Sequence, residues 1–367
     1  MNPVPSIRRI LVIALSGIGD TLIATPLIHE LRLHFPEAEI DALVLWPGSR
    51  QILEGNPHLN AVHQHDFLRR SKRATLGFLA SLRRRKYDLS LNVHTLGRRE
   101  YRYVARAIGA RRRLSHSYEN QDWFDRWLVT DQIPQDYSVH SVVNNNRLLG
   151  LLGIEPQLPS HSYELYLSAD EEAFAAEFIQ TESLEGQRLL GVHVGSGGTK
   201  NLALRRWPLD HYQELFREVH RRAPGLRILL FGGPEEQAAH EQLVRAIPHG
   251  LSLPRTPTLR KAAALVKRCD AFLSVDTVFM HLAAAARVPR QLVIETPTVN
   301  PPILPLRNDW TLIPNPGVGG RNLDYYRYDG RPIAGSREQI EALMRSVTVA
   351  MVLEPLMKSL ENASQAG

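Results

Sequence analysis

Short apolar runs alternate with amphipathic stretches of helical length, and this alternation is played out twice along the chain. Nothing else in the sequence narrows the accessible folds so far. An apolar run of four to seven residues between helices is a strand covered on both faces, and such strands belong to parallel sheets. In the first half, strands are predicted over 10–15, 40–45 and 87–93, and helices over 21–35 (closed by Pro36), 76–86 and 100–109. The pattern restarts beyond a polar interval near 168–187. Strands follow over 189–194, 227–231, 271–275 and 291–294, with helices over 209–223, 235–246, 259–269 and 277–287. The expected fold class is α/β, with two Rossmann-like domains facing a cleft. The domains are expected at 1–168 and 169–345, with a helical tail over 346–367. A final amphipathic stretch, 336–360, should be helical, and Pro355 should kink or end it.

A chain of 367 residues suits two domains of about 150–200 residues each. Cys269 is the only cysteine, which excludes an intrachain disulfide and any metal cluster built from cysteines, and it fits a reducing cytoplasm. Arg8 and Arg9 before the apolar run 10–15 imitate a signal peptide, but the run is short and Asp20 soon interrupts it. A buried first strand is the better reading. No run reaches the roughly 18 apolar residues that a membrane span needs.

Net charge is +6, unevenly placed. Between Arg69 and Arg113, fifteen Lys and Arg stand against Asp88 and Glu100, a surplus of thirteen, so the remaining sequence is net acidic. Such a concentration suits an anionic partner, a phosphorylated glycolipid or membrane headgroups; solvated helix faces account for it equally well. Nucleic acid is not expected, because the basic stretch carries no binding motif.

Four segments stand where parallel sheets gather ligands, at strand ends that run into helices. Ser16-Gly17-Ile18-Gly19-Asp20-Thr21 follows the first strand. Its acid can accept a proton from a ligand, although spacing alone favours Asp20 as a helix cap. Gly195-Ser196-Gly197-Gly198 follows Val192-His193-Val194, with Lys200 and Arg205-Arg206-Trp207-Pro208 beyond it. Loop N–H groups, Ser196 and a cation such as Arg205 can stabilise a departing diphosphate without a metal. In Phe231-Gly232-Gly233-Pro234-Glu235-Glu236, an acid can hold ribose hydroxyls or simply complement the helix dipole. In Ser274-Val275-Asp276-Thr277, the last two residues can cap a helix while addressing phosphates or sugar; His281, one turn on, reads as a core residue. The dinucleotide pattern is absent from both halves, which speaks against a nicotinamide enzyme.

Taken together and in this order, the segments resemble glycosyltransferase family 9, the bacterial heptosyltransferases. The stretch 10–26 resembles that family's G-x-G-D-x-L-x-x-x-P opening. Arg205-Arg206-Trp207-Pro208 is similar to its K-R-W-P segment, and Phe231-Gly232-Gly233-Pro234 to its next strand and turn. Asp276-Thr277, His281-Leu282 and Ala284-Ala285 resemble its D-[ST]-G-x-x-H-x-x-A-A signature, and Thr296-Pro297-Thr298 its G-P-T. The likeness spans most of the chain.

The resemblance implies a GT-B fold and inverting, metal-independent transfer from a nucleotide diphospho-heptose, typically ADP-heptose, with no cofactor. It makes Asp20 the general base and Gly17, Gly19, Thr21, Arg98 and Arg99 acceptor contacts. Ser196, Gly197, Lys200, Arg205, Glu236, Asp276, Thr277 and His281 become donor contacts. The acceptor would be a lipopolysaccharide core or related envelope glycan, met by a cytoplasmic enzyme at the inner face of the membrane. Two departures stand out: Val278 replaces a glycine, and Glu295-Thr296 replaces Phe-Gly. They keep two alternatives in view, a GT-B transferase with another nucleotide sugar and a non-catalytic glycan-binding relative.

Overall fold

Five of the six residues of strand β1 (Arg9–Ala14) are buried, as a strand covered on both faces requires. The computed structural model describes residues 7–93, 97–118, 121–195, 202–247, 250–297, 303–306, 310–318 and 336–364. After β1 come β2 (Glu39–Val44), β3 (Ala61–Gln64), β4 (Leu89–Asn92), β5 (Arg112–Ser117) and β6 (Asp131–Pro134). The second half adds β7 (Arg188–His193), β8 (Leu226–Phe231), β9 (Leu251–Ser252), β10 (Ala271–Ser274), β11 (Gln291–Ile294) and β12 (Trp310–Ile313).

The first six strands form one sheet in the order β3-β2-β1-β4-β5-β6, and the last six another in the order β12-β11-β10-β7-β8-β9. Among the described residues every strand pairing is parallel. Counted from its own first strand, each sheet is wound 3-2-1-4-5-6, the order of Rossmann domains. The fold class is α/β with two Rossmann-like units, as expected. One unit contains the described residues up to Tyr166 together with 303–306; the other described residues form the second.

Several elements depart from the sequence reading. The helix expected over 21–35 is two helices, Ile18–Ile23 and Thr25–His34. Pro26 has no N–H to offer the Leu22 carbonyl, and the Thr25 hydroxyl donates to that carbonyl instead, at 2.7 Å. The polar interval at 168–187 contains the helix Ala169–Thr181, started by a capping box: the Ser168 hydroxyl accepts from the Glu171 N–H, and the Glu171 carboxylate accepts from the Ser168 N–H. The stretch 336–360 divides into helices Arg337–Arg345 and Val349–Ser364. Its break falls near Val347, whose carbonyl accepts from buried Trp207 Nε1 at 2.8 Å, and the second helix continues through Pro355. Met344, Val347, Val352 and Leu356 are fully buried in the core of the second unit. Among the described residues no helix is long and apolar enough to cross a membrane.

That core is tight at β7. A β-carbon on Gly191 would come within 2.5 Å of the Phe272 ring and 3.0 Å of Cys269 Sγ, and Cys269 itself is buried. Gly191→Ala is therefore expected to destabilise the second unit by about 1–3 kcal/mol through overpacking. A chemical-denaturation midpoint equal to that of the wild type would contradict it.

Candidate active site

The switch point of each sheet, where the winding reverses, lies between its first and fourth strands. In the first unit β1 leads there through Leu15 and Ser16 into the helix Ile18–Ile23, which carries Gly19 in its first turn. Gly17 caps that helix in an extended conformation, and its N–H donates to Asp20 Oδ2 at 2.7 Å. Asp20 thus does the capping that its spacing favoured, and it remains only partly buried. Burial raises the nearby Tyr118 hydroxyl above its ordinary pKa, and the Asp20 carboxylate adds to that rise. Thr21 is fully buried and gives its hydroxyl to Ser49 Oγ at 2.8 Å, so it braces the turn from within.

Arg98 and Arg99, neighbours in sequence, have different surroundings. Arg98 occupies the N-cap position of the helix Arg99–Ile108. The Arg99 guanidinium is pinned by two acids, Asp122 at 2.7 Å and Asp125 at 3.0 Å. Asp125 is shared with buried Arg102, whose Nε lies 2.8 Å from it.

In the second unit the switch point lies between β7 and β10. His193 ends β7, and its Nδ1 lies 3.0 Å from Thr277 Oγ1, just beyond β10. Burial, with His240 and Arg206 nearby, pushes the His193 imidazole down to about 3, so it stays neutral in ordinary conditions. Asp276 forms an ion pair of 2.9 Å with Arg205, both largely buried. His281 lies in the helix Val278–Ala285 and is 4% exposed; burial pushes it down to about 4 against the opposing charge of Asp276. Residues Ser196, Gly197 and Lys200 lie outside the described residues.

Glu236 completes the arrangement. It accepts from the Gly233 N–H and from Arg206, both at 2.9 Å, and burial raises its pKa despite them. Its carboxylate fills the space that a β-carbon at Gly195 would need, which accounts for a glycine at the start of the loop after β7. The sequence alone assigns no role to Arg206 or His193. Their signals were present, a second basic residue before Trp207 and a polar residue at a strand's end, but their partners lie far along the chain.

The two departures from the family pattern also find places. Val278 opens its helix after Thr277, whose extended backbone any residue adopts. Glu295 is 3% exposed and accepts the Asn315 N–H at 2.6 Å. Asn315 in turn donates to the Leu343 carbonyl and accepts from the Ser346 hydroxyl, so the acid braces β11 against the chain after β12 and the helix Arg337–Arg345.

Two parallel sheets wound in one order, with polar clusters at both switch points, define an α/β protein of two Rossmann-like units. The family model of glycosyltransferase family 9 (heptosyltransferase) matches residues 76–293, and the chain belongs to that family. It is a glycosyltransferase. A curated relative, lipopolysaccharide heptosyltransferase 3 of Escherichia coli, is 26% identical over 282 residues, covering 74% of this chain and 78% of its own. Among solved structures, a family 9 glycosyl transferase from Veillonella parvula superposes with a TM-score of 0.76 at 19% identity, covering 97% of each chain. The Escherichia coli ADP-heptose lipopolysaccharide heptosyltransferase II reaches 0.71 at 21% identity, covering 97% of this chain and 99% of that one. These two likenesses speak for the fold.

Proposed function

We propose that this glycosyltransferase moves a heptose from ADP-heptose to a lipopolysaccharide core or related envelope glycan, with inversion and without a metal in the transfer step. The observation that carries the reading is the cluster at the second switch point, where Arg205 pairs with Asp276, His193 meets Thr277, and Glu236 lies against Gly195. In this reading Arg205, positioned by Asp276, offsets the charge of the departing diphosphate together with Lys200 and the N–H groups around Ser196 and Gly197. Thr277 addresses the phosphates, His281 supports the turn that bears them, and Glu236 serves the nucleoside end. Asp20 takes the proton of the acceptor hydroxyl as that oxygen bonds to the anomeric carbon and the bond from carbon to the diphosphate oxygen breaks. Gly17, Gly19 and Thr21 shape the turn that presents it, with Arg98 and Arg99 on the acceptor side.

The acceptor's phosphates would meet the basic helix Lys72–Arg84. Arg69, Arg70, Lys72, Arg73 and Arg84 are exposed there, and Leu68 and Leu76 are each 67% exposed beside them. Such a surface suits a cytoplasmic enzyme that visits the inner face of the membrane.

The test is incubation with ADP-heptose and core saccharides, read by mass spectrometry for a gain of one heptose, alongside thermal shifts with ADP, UDP and GDP. ADP at 100 times its Kd is expected to stabilise the protein by about 2.7 kcal/mol, and the other two at equal concentration by much less. A shift with UDP or GDP alone would replace the donor with a different nucleotide sugar, the reading that Val278 in the donor turn favours.

A further inference from the structure

In the first unit, two histidines and a glutamate from separate segments meet outside the residues assigned above. His29 lies in the helix Thr25–His34, His58 in the connection leading to β3, and Glu164 near the end of the unit. His29 Nδ1 is 2.6 Å from Glu164 Oε1, and His58 Nε2 is 3.7 Å from Glu164 Oε2. One potential ligand atom from each residue lies within 4.8 Å of the others. The two imidazoles stack at 3.8 Å, and all three side chains are partly buried, between 15% and 23% exposed.

We propose that His29, His58 and Glu164 form a binding site for a divalent transition metal of the zinc class, with the Tyr166 hydroxyl as its neighbour. Two imidazoles and one carboxylate are a borderline donor set, which suits zinc, cobalt or nickel and disfavours calcium and magnesium. Tetrahedral coordination at bonds of about 2.0–2.1 Å sets ligand atoms about 3.3 Å apart. The separations of 2.6 and 3.7 Å bracket that value. The imidazoles must turn out of their stack for their lone pairs to converge, a rotation about χ2, the soft torsion of histidine.

The surroundings fit such an ion. Burial, then the adjoining His29, lowers the pKa of His58 below its ordinary value, which favours the neutral ring that a metal needs. The Tyr166 hydroxyl lies 3.0 Å from both His58 Nε2 and Glu164 Oε2, where it can orient the ligands or give way to water at the fourth position. The opposing charge nearby is Arg32, held by the carbonyls of Pro36, Ala38 and His58 and by Asn60. Buried Glu30, which accepts the N–H groups of Gln157 and Leu158, offsets it on the same helix. A bound ion would tie the helix Thr25–His34 to two segments far along the chain, a structural role apart from sugar transfer. Its failure would leave the transfer reading untouched, and the reverse holds as well.

Untagged protein, stripped with a chelator and freed of it, is titrated with Zn²⁺ by calorimetry and with Co²⁺ by visible absorption. One equivalent is expected to bind, with the intense ligand-field bands of low-coordinate Co²⁺, and Zn²⁺ should displace it and raise the melting temperature. His58→Ala and the isosteric Glu164→Gln should each weaken Zn²⁺ binding by at least about 100-fold, whereas Tyr166→Phe should cost about 10-fold, as outer partners do. Circular dichroism of Glu164→Gln identifies loss of the site as distinct from loss of the fold. Wild-type protein that takes up no stoichiometric metal overturns the proposal, and so does binding that survives both ligand substitutions.

Discussion

Asp20→Asn is expected to lower kcat for sugar transfer about 10²–10⁴-fold while leaving the melting temperature and donor Kd close to wild type. The argument rests on what asparagine keeps and what it loses. Its side-chain oxygen can still accept the Gly17 N–H that Asp20 Oδ2 receives at 2.7 Å, so the helix Ile18–Ile23 keeps its cap. It cannot take a proton from a hydroxyl. Asp20→Ala removes both properties and should add about 1 kcal/mol of lost stability. The pair of variants separates the two readings of this residue. Should the asparagine variant turn over at the wild-type rate, Asp20 is a cap and nothing more.

Asp125→Ala carries the second large expectation, a loss of about 3–5 kcal/mol in stability. The Asp125 side chain is fully buried, and removing it strands Arg102, which is 2% exposed and depends on it at 2.8 Å. Asp122→Ala, which removes a half-exposed partner of Arg99, should cost at most about 1 kcal/mol. Burial works to raise the Asp125 pKa, but hydrogen bonds from Arg99 and the Asp122 N–H, with the charge of Arg102, outweigh it and hold the carboxyl below its ordinary value. A depressed pKa contributes stability above the unfolded value, and that contribution is lost as pH falls through the folded one. Urea unfolding at neutral pH and in acid checks both statements. A change below about 1 kcal/mol for Asp125→Ala at neutral pH would show that Arg102 finds other compensation.

What could be read beforehand followed burial. The runs at 10–15, 40–45, 189–194 and 271–275 lie inside sheets, and strands covered on both faces must be apolar throughout. Strands toward the sheet edges escaped. β5 is Arg-Arg-Leu-Ser-His-Ser and β6 is Asp-Gln-Ile-Pro, which offer neither an apolar run nor clean alternation. The helix Ala169–Thr181 was hidden for a related reason: Ala175 is its only buried residue, although its Ser168-to-Glu171 capping box was there to be read. At the candidate site, the positions of Asp20, Asp276 and Glu236 at strand ends were legible, because strand–turn–helix junctions are local. Their partnerships were not. Arg205 and Asp276 are 71 residues apart, and Arg99 meets its acids across more than twenty, distances over which no periodicity carries information. Nor did the sequence show what Glu295, a departure from the family pattern, is tied to: its carboxylate accepts the N–H of Asn315, twenty residues on, and braces the second unit.

The thiol packed beneath Gly191 gives the second unit a built-in clock. Burial raises the pKa of Cys269, and its sulfur is enclosed within the closed fold, so an alkylating reagent reaches it only during an opening event. Because the sequence contains no other cysteine, every modified molecule records one unmasking of the region behind β7 and β10. The labelling rate, followed as ligands are added, would then count how often that half of the molecule breathes and how far a bound nucleotide quiets it.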